Sequence, residues 1–294
     1  MRLHLVVNPE GGLKKGISIL KEVKPLFKKA SIELNILKTE YSGHAEVYAN
    51  TIEYLGYDGI CAIGGDGTMS ELINGMLKRK DGEKLPIGLI PGGTGNSLMH
   101  DLDCLEPKKA VKRIIQGKIK PIDIAKVDAN GVSFFAFNII GWGLATDAGR
   151  LAEKLRVFGG LRYNIASIIE VIRGKKRIAK LIIGNEVIEE DFVFIIACNT
   201  VYTGKAMKMA PNSKLDDGKI DLIIVRKSKK IKLLKLFPKL FTGEHVESPL
   251  VDYRQVNNFS ILPEKDSSLT IDGELKGSTP CCVQIKSKRI NVFV

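Results

Sequence analysis

At 294 residues, with 44% apolar and 27% charged side chains, the chain holds material for about two globular domains, each with its own core. It has no low-complexity tract and no apolar run near the ~18 residues of a spanning helix, so disordered, fibrous and helical-membrane classes are excluded. A formal net charge of +12 suits polyanions: nucleic acid, phosphorylated substrates or an anionic membrane face. It equally suits a solvated lysine surface or a high-temperature habitat.

The opening Met1-Arg2-Leu3-His4 lacks a signal-peptide design, which predicts a cytoplasmic protein. Leu3–Val7 reads as a short buried strand, with Asn8-Pro9-Glu10-Gly11-Gly12 as the turn after it. Ile17, Leu20, Val23, Leu26 and Phe27 recur at spacings of three and four, predicting a helix. Ile32–Leu37 is the second strand, Thr39 follows it, and Ser42-Gly43-His44-Ala45 opens another helix. Gly59–Ile63 is a third strand that runs into Gly64-Gly65-Asp66-Gly67-Thr68, and residues 69–77 form the next helix. Pro86–Ile90 is the fourth strand, followed at once by Pro91-Gly92-Gly93-Thr94-Gly95-Asn96-Ser97. Glu106–Gln116 is helical and stops at Gly117.

This alternation predicts a Rossmann-like α/β layer with a mostly parallel sheet over residues 1–121. Its glycine turns all follow strands, so they gather at the carboxyl edge, where such sheets bind ligands. Glycine lets the backbone approach a ligand closely, and a helix N-terminus offers unpaired N–H groups, so the turns have the design of a phosphate cradle. Asp66 within one of them repels phosphate unless a cation or proton donor lies between. The plainer alternative is an Asp that orders its own backbone.

From residue 122 the rhythm changes. Ile122–Val127 and Val132–Ile139 flank Asp128-Ala129-Asn130-Gly131, a hairpin signal. Helical segments are predicted near Thr146–Leu155 and Leu161–Ile172. Strands follow at Ala179–Ile183, Glu186–Glu190, Phe192–Asn199, Ile220–Val225, Asn258–Leu262, Ser268–Ile271 and Cys282–Ile285. Residues 122–294 therefore read as a second domain, an antiparallel β-sandwich or barrel. Arg289–Val294 is strand-like, and its pairing with either domain stays open. Trp142, between two glycines, is expected in the second core, and the five cysteines and four histidines show no disulfide framework, zinc spacing or relay.

Arg226–Phe241 carries seven basic residues and no acid, interleaved with Leu and Phe. It reads either as an amphipathic segment lying on an anionic bilayer or as a helix packed on the second domain with its lysines in water. Read alone, Asp272-Gly273-Glu274 is a type I′ hairpin turn with a solvated Glu, and Asp216-Asp217-Gly218 a polar turn before the strand Ile220–Val225.

Asn8-Pro9 with Gly11-Gly12, the block Gly64–Gly75 and the block Pro91–Asn96 together resemble the diacylglycerol kinase catalytic domain, a superfamily that includes sphingosine kinases and soluble bacterial lipid kinases. Three glycine loops in the right order carry the resemblance, which extends over nearly the whole chain. It implies two domains with nucleotide and lipid meeting in the cleft between them. It implies ATP contacts at Asn8, Pro9, Glu10, Gly11, Gly12, Thr39, Gly65, Asp66, Gly67, Thr68, Met69, Ser70, Glu71 and Thr94. It implies Glu274 as proton acceptor with Asp272 beside it, and Asp66 as a third catalytic acid. A structural Mg2+ is implied at Asp217, through its carboxylate, and at Lys214 and Lys219, through their carbonyls, while Asp123 resembles an acid near the active-site metal. Glu10 departs from the family, where many relatives have a small or basic residue, and 146–175 matches no family motif.

The implied activity is transfer of the ATP γ-phosphate, with Mg2+, to a hydroxyl of a membrane lipid, diacylglycerol first. Such chemistry needs a phosphate cradle, a bridging cation and a base, and an apolar acceptor is expected to raise the carboxyl of Glu274. The implied place of work is the cytoplasm, transiently at the anionic inner face of the cell membrane. No nucleic-acid partner is expected, and a homodimer is left open. Two alternatives stand: an NAD kinase-like small-molecule kinase, and a non-enzymatic basic nucleotide- or nucleic-acid-binding module. A Rossmann dehydrogenase is disfavoured because no G-x-G-x-x-G follows the first strand.

Overall fold

The computed structural model describes all residues except Leu13, Arg156, Phe158, Gly159, Gly160, Leu161 and Lys205, so the predicted start of a helix at Leu161 lies outside the described residues. The chain forms two compact units, Met1–Ile124 with Ser287–Val294, and Ala125–Lys286.

The first unit runs β1 (Arg2–Val7), α1 (Gly16–Lys29), β2 (Glu33–Lys38), α2 (His44–Thr51), β3 (Gly59–Gly64), α3 (Asp66–Leu77), β4 (Ile87–Pro91), α4 (Ser97–Asp101) and α5 (Pro107–Gln116), then enters β5 (Ile119–Ala129). Its sheet has the order β2-β1-β3-β4, every pair parallel. Val6 sits opposite Ala62, and Ile63 opposite Ile90. β3 is buried along its whole length, as a central parallel strand covered on both faces must be. Helix α1 buries Leu20, Val23 and Phe27 of the predicted stripe, with Gly16 and Ile19 in place of the half-buried Ile17 and Leu26, and ends on Lys28 and Lys29, which suit its negative dipole end. α5 stops at Gly117, whose φ of 69° is open to glycine at little cost.

The second unit continues through β6 (Val132–Ala136), β7 (Ile139–Gly143), α6 (Leu144–Lys154), α7 (Arg162–Arg173), β8 (Ile178–Ile183), β9 (Glu186–Cys198), β10 (Ile220–Arg226), α8 (Lys230–Leu236), α9 (Lys239–Thr242), β11 (Val251–Val256), β12 (Asn258–Pro263), β13 (Ser268–Ile271), β14 (Glu274–Ser278) and β15 (Cys281–Phe293). The last eight residues described, Ser287–Val294, belong to the first unit, where Val292 pairs in parallel with Ile87. Asn130 and Gly131 both have positive φ, the I′ geometry that joins β5 to β6. The predicted strand Val132–Ile139 is broken at Phe137-Asn138, where the backbone turns aside to meet an acid described below.

β9 organises the second unit. Its first half pairs with β8, and its second half pairs with β7 and β10, all antiparallel. The two predicted strands Glu186–Glu190 and Phe192–Asn199 are thus one strand serving two sheets. Alternation then sorts side chains to two cores. Ile195 and Ala197 join Trp142, Phe192, Leu222, Phe259 and Val283 inside the sandwich. Phe194, Ile196 and Cys198 face the other way and pack with α6, α7, α8 and α9 residues. A fully buried side chain such as Phe192 stabilises the fold by about 1.5–3 kcal/mol.

Within Arg226–Phe241, Leu236 and Leu240 are buried, and Leu233, Leu234 and Phe237 pack on the same core. Ile231 and Phe241 are its exposed apolar residues. The segment's lysines are turned outward while most of its apolar residues are committed inward, the packed-helix alternative of the sequence. Among the described residues, no helix is long and apolar enough to cross a membrane.

Candidate active site

In the first unit the three glycine turns touch. A Cβ on Gly65 would lie 2.9 Å from Cα of Gly93, and one on Gly12 would lie 3.0 Å from that same atom. The converse is tighter, with a Cβ on Gly93 only 2.5 Å from Cα of Gly65. Side chains are excluded here by backbone, which leaves main-chain N–H groups as the surface a ligand meets. Hydrogen bonds lock the contact: Gly92 and Gly93 N–H both donate to the Gly64 carbonyl, at 2.7 and 3.1 Å. Asn8 N–H donates to the Ile63 carbonyl at 3.0 Å, and the Asn8 amide donates to the Thr68 hydroxyl at 3.1 Å. Asn96, at φ 53°, closes its own loop by exchanging bonds with Gly93.

Helix α3 begins at Asp66, three residues before the predicted start at 69, because Gly65 is extended and Asp66 already has a helical position. No side chain caps this N-terminus, so the first-turn N–H groups and the positive dipole end are left to a ligand. Asp66 does not point its carboxylate at that ligand. One oxygen accepts the Ser97 N–H at 2.7 Å and the other the Ser97 hydroxyl at 3.0 Å. Burial pushes the Asp66 carboxyl upward from its ordinary value, and the bonds from Ser97 pull it back part of the way. Asp66 therefore ties α3 to α4, resolving the phosphate repulsion that the sequence poses.

The other implied ATP contacts divide. Gly11, Gly12, Gly65, Thr68 and Thr94 belong to the touching loops or border them. Thr39 closes the end of β2, its N–H donating to the Val7 carbonyl at 2.9 Å. Pro9 lies between Asn8 and Glu10, and Gly16 packs α1 directly against this turn, leaving no room for a Cβ beside the Asn8 carbonyl. Glu10 is exposed and paired with Lys14 at 2.7 Å, so its charge is met within the loop. Gly67 lies in the first turn of α3. Met69 and Ser70 are buried on the core side of that helix, and the Glu71 carboxylate accepts the N–H groups of Gly43 and Ala45 at 2.9 and 3.1 Å, steadying α2. Their side chains are structural in this arrangement.

Gly93→Ala tests the loop contact. The clash is with backbone, which cannot rotate away, so the loops must separate. We expect ATP affinity by calorimetry to fall about tenfold or more while the melting transition loses at most ~1–3 kcal/mol. Unchanged ATP affinity would show the contact to be dispensable.

In the second unit, Asp272 and Gly273 have φ of 50° and 87° and make a tight turn between β13 and β14. The turn is as the sequence suggests, yet Asp272 is 4% exposed. Its carboxylate accepts main-chain N–H groups from Phe137, Asn138 and Ile139 at 3.3, 3.0 and 3.2 Å, which is why the chain breaks stride there. Asp272 is thus a positioning group rather than one open to substrate. Glu274, first in β14, is 41% exposed and ion-paired with Lys276 at 2.6 Å, not enclosed by apolar groups. Beneath the turn lie residues the sequence did not single out: the Thr200 hydroxyl donates to Asn138 Oδ1 at 2.6 Å, and the Asn199 amide to the Phe137 carbonyl at 3.1 Å.

Asp123 is fully buried in the first unit and accepts the Lys288 N–H at 2.6 Å, joining β5 to β15. Lys214, Asp217 and Lys219 lie in an exposed loop before β10, where the Asp217 carboxylate accepts the Lys219 N–H at 3.0 Å. Among the described residues, no three His, Cys, Asp or Glu side chains cluster as a metal site.

Each of the two units has a counterpart among known protein families. Residues 2–127 match the diacylglycerol kinase catalytic domain, and residues 138–294 the YegS C-terminal NAD kinase beta sandwich-like domain. A sphingosine kinase of Arabidopsis thaliana is 30% identical over 93% of this chain and 68% of its own. A diacylglycerol kinase of Staphylococcus saprophyticus is 29% identical over 99% and 95%. The crystal structure of a diacylglycerol kinase from Bacillus anthracis superposes with a TM-score of 0.81 at 26% identity, covering 99% of this chain and 96% of that one. An NAD kinase from Archaeoglobus fulgidus shares the fold alone, at 13% identity and a TM-score of 0.55. Glycine turns in the right order and in mutual contact, with both domains matched, place the chain in the diacylglycerol kinase catalytic-domain family, whose members are ATP-dependent lipid kinases.

Proposed function

We propose that this lipid kinase phosphorylates the free hydroxyl of diacylglycerol or a closely similar lipid alcohol, with Mg2+ as cofactor and Glu274 as proton acceptor. The observation that best supports a phosphoryl donor site is the mutual contact of Gly12, Gly65 and Gly93 before the uncapped N-terminus of α3. Such a surface offers N–H donors and a positive dipole end, the chemistry that oxygens of a polyphosphate require. Diacylglycerol leads because bacterial relatives of that name match over 91–95% of their length, against 68% for the plant sphingosine kinase.

Each residue's part follows from what holds it. Asp66 keeps the Pro91–Asn96 loop against α3, so the cradle is set before ATP arrives. Asp272 fixes the turn that carries Glu274, and Glu274 accepts the acceptor hydroxyl's proton as that oxygen bonds to the γ-phosphorus and the bond to the β,γ-bridging oxygen breaks, releasing ADP. Asp217 and the carbonyls of Lys214 and Lys219 are hard oxygen donors, the set that fits Mg2+, and one Asp217 oxygen remains beyond its bond to Lys219. That ion would be structural, whereas a separate Mg2+ bound with ATP would neutralise charge that builds up at the phosphates in transfer. Work at the cytoplasmic face of the membrane fits the outward lysines of Arg226–Phe241.

The test is transfer from γ-labelled ATP to a panel of diacylglycerol, sphingoid base, NAD and water in mixed micelles. Label in phosphatidic acid is the expected outcome. Label in a phosphorylated sphingoid base or in NAD would overturn the acceptor assignment.

A further inference from the structure

A cavity of about 490 Å³ opens in the second unit, apart from the acidic turn. β7 runs from Ile139, whose N–H holds Asp272, to Gly143 at the cavity wall. Four residues of strand separate the two by roughly 13 Å. Ile178 and Pro263 are its partly exposed apolar side chains, and the almost wholly buried Trp142 touches its edge. Five cations line the cavity: Arg150 from α6, the run Lys175-Lys176-Arg177 before β8, and Lys265 from the loop before β13.

Three carboxylates also line it, Asp147, Glu264 and Asp266. Asp147 is already matched, by Arg177 at 2.7 Å and Lys175 at 3.0 Å. Burial alone would raise the Asp147 carboxyl, but these bonds outweigh it and hold it below its ordinary value, so it stays ionised and satisfied. Glu264 and Asp266 are exposed on their loop. Among the described residues, Arg150 spends one Nη2 donor on the Ser268 hydroxyl at 2.8 Å and keeps the rest of its fork. Lys176 and Lys265 are exposed, and neither has a side-chain hydrogen bond or close ion pair among the described residues, although Lys176 also acts on the Asp191 carboxylate through space. A pocket with apolar side chains and spare cationic donors at its rim is complementary to an anion on an organic body.

We propose that this pocket binds a phosphate ester, with Arg150, Lys176 and Lys265 taking the phosphate and Ile178 and Pro263 taking the ester's carbon skeleton. The phosphate ester belongs either to an anionic lipid headgroup or to a free metabolite of the same chemistry. The inference does not rest on the kinase reading, because the acidic turn and the glycine loops contribute nothing to the pocket.

Trp142 is the chain's single tryptophan and its Nε1 donates to the Ser267 hydroxyl of the loop that carries Lys265, so its fluorescence reports this pocket. The full chain would be titrated with glycerol 3-phosphate, and separately with phosphatidylcholine vesicles containing phosphatidylglycerol, each against sodium chloride at matched ionic strength. We expect a saturable change in Trp142 emission that the salt control lacks, weakened roughly tenfold or more in Lys176→Glu/Lys265→Glu. A response to vesicles alone assigns the phosphate to a lipid headgroup, and a response to glycerol 3-phosphate alone assigns it to a soluble ester. No response to either, a response reproduced by salt, or equal affinity in the double variant overturns the proposal. Arg150→Gln is read by the same criterion should the double variant fail to fold. Since the readout involves no turnover, failure here leaves the acceptor assay untouched, and failure there leaves this one standing.

Discussion

Glu274→Gln is expected to lower kcat by about 10²–10⁴ while ATP affinity and the melting transition stay near wild type. The amide keeps the size and shape of the side chain and loses the ability to accept a proton. What holds the residue in place lies elsewhere: the turn before it is anchored through Asp272 to three main-chain N–H groups, and these remain in the variant. The loss in stability is confined to the pair with Lys276, which is part-exposed and contributes about 0.2–1 kcal/mol at most. Activity and stability therefore separate. Steady-state kinetics on mixed micelles, with calorimetry for ATP, make the comparison, and wild-type turnover would remove Glu274 from the base's role.

Asp66→Ala should cost about 10²–10³ in kcat/KM for ATP and also some stability, a different signature. The carboxylate satisfies both the N–H and the hydroxyl of Ser97, which is fully buried. Removing it leaves a buried donor without an acceptor, at about 1–3 kcal/mol, and frees the Pro91–Asn96 loop from α3. Asp66→Asn retains an oxygen for the Ser97 N–H and should recover part of both losses. Ser97→Ala keeps the N–H bond and removes the hydroxyl, so it should reproduce only part of the defect. If Asp66→Ala kept full activity, the tie between α3 and α4 would have no part in building the cradle. If Ser97→Ala matched it in full, the hydroxyl bond would be the dominant half.

The glycine turns were legible because their chemistry is local: strand, glycine and helix start succeed one another in the sequence, and the sheet then brings the turns to one edge. The joining of Glu186–Glu190 to Phe192–Asn199 was not legible. The polar run Glu189-Glu190-Asp191 looks like an interruption, yet it is where β9 passes from one sheet to the other. Cys282–Ile285 and Arg289–Val294 were divided for the same reason, with Lys286, Ser287 and Lys288 marking the passage between units inside β15. Ser97, Asn138, Asn199 and Thr200 escaped notice because a buried polar residue is defined by its partner, and theirs lie up to 62 residues away. Asp272 shows both sides of this. Its turn could be read from Asp-Gly, whereas the three N–H groups it gathers from more than 130 positions earlier could not.

The first unit's sheet is completed by Val292 against Ile87, so the strand that finishes it is made after every residue of the second unit. A nascent chain leaving the ribosome can pair β1 to β4 early, but that sheet keeps an open parallel edge throughout synthesis of Ala125–Lys286. During that interval β4 presents unpaired main-chain groups of the kind that recruit stray strands. Domain-by-domain folding in order of synthesis is closed to this topology. The second unit can fold first, and its maturation delivers the closing strand to the unit that began before it.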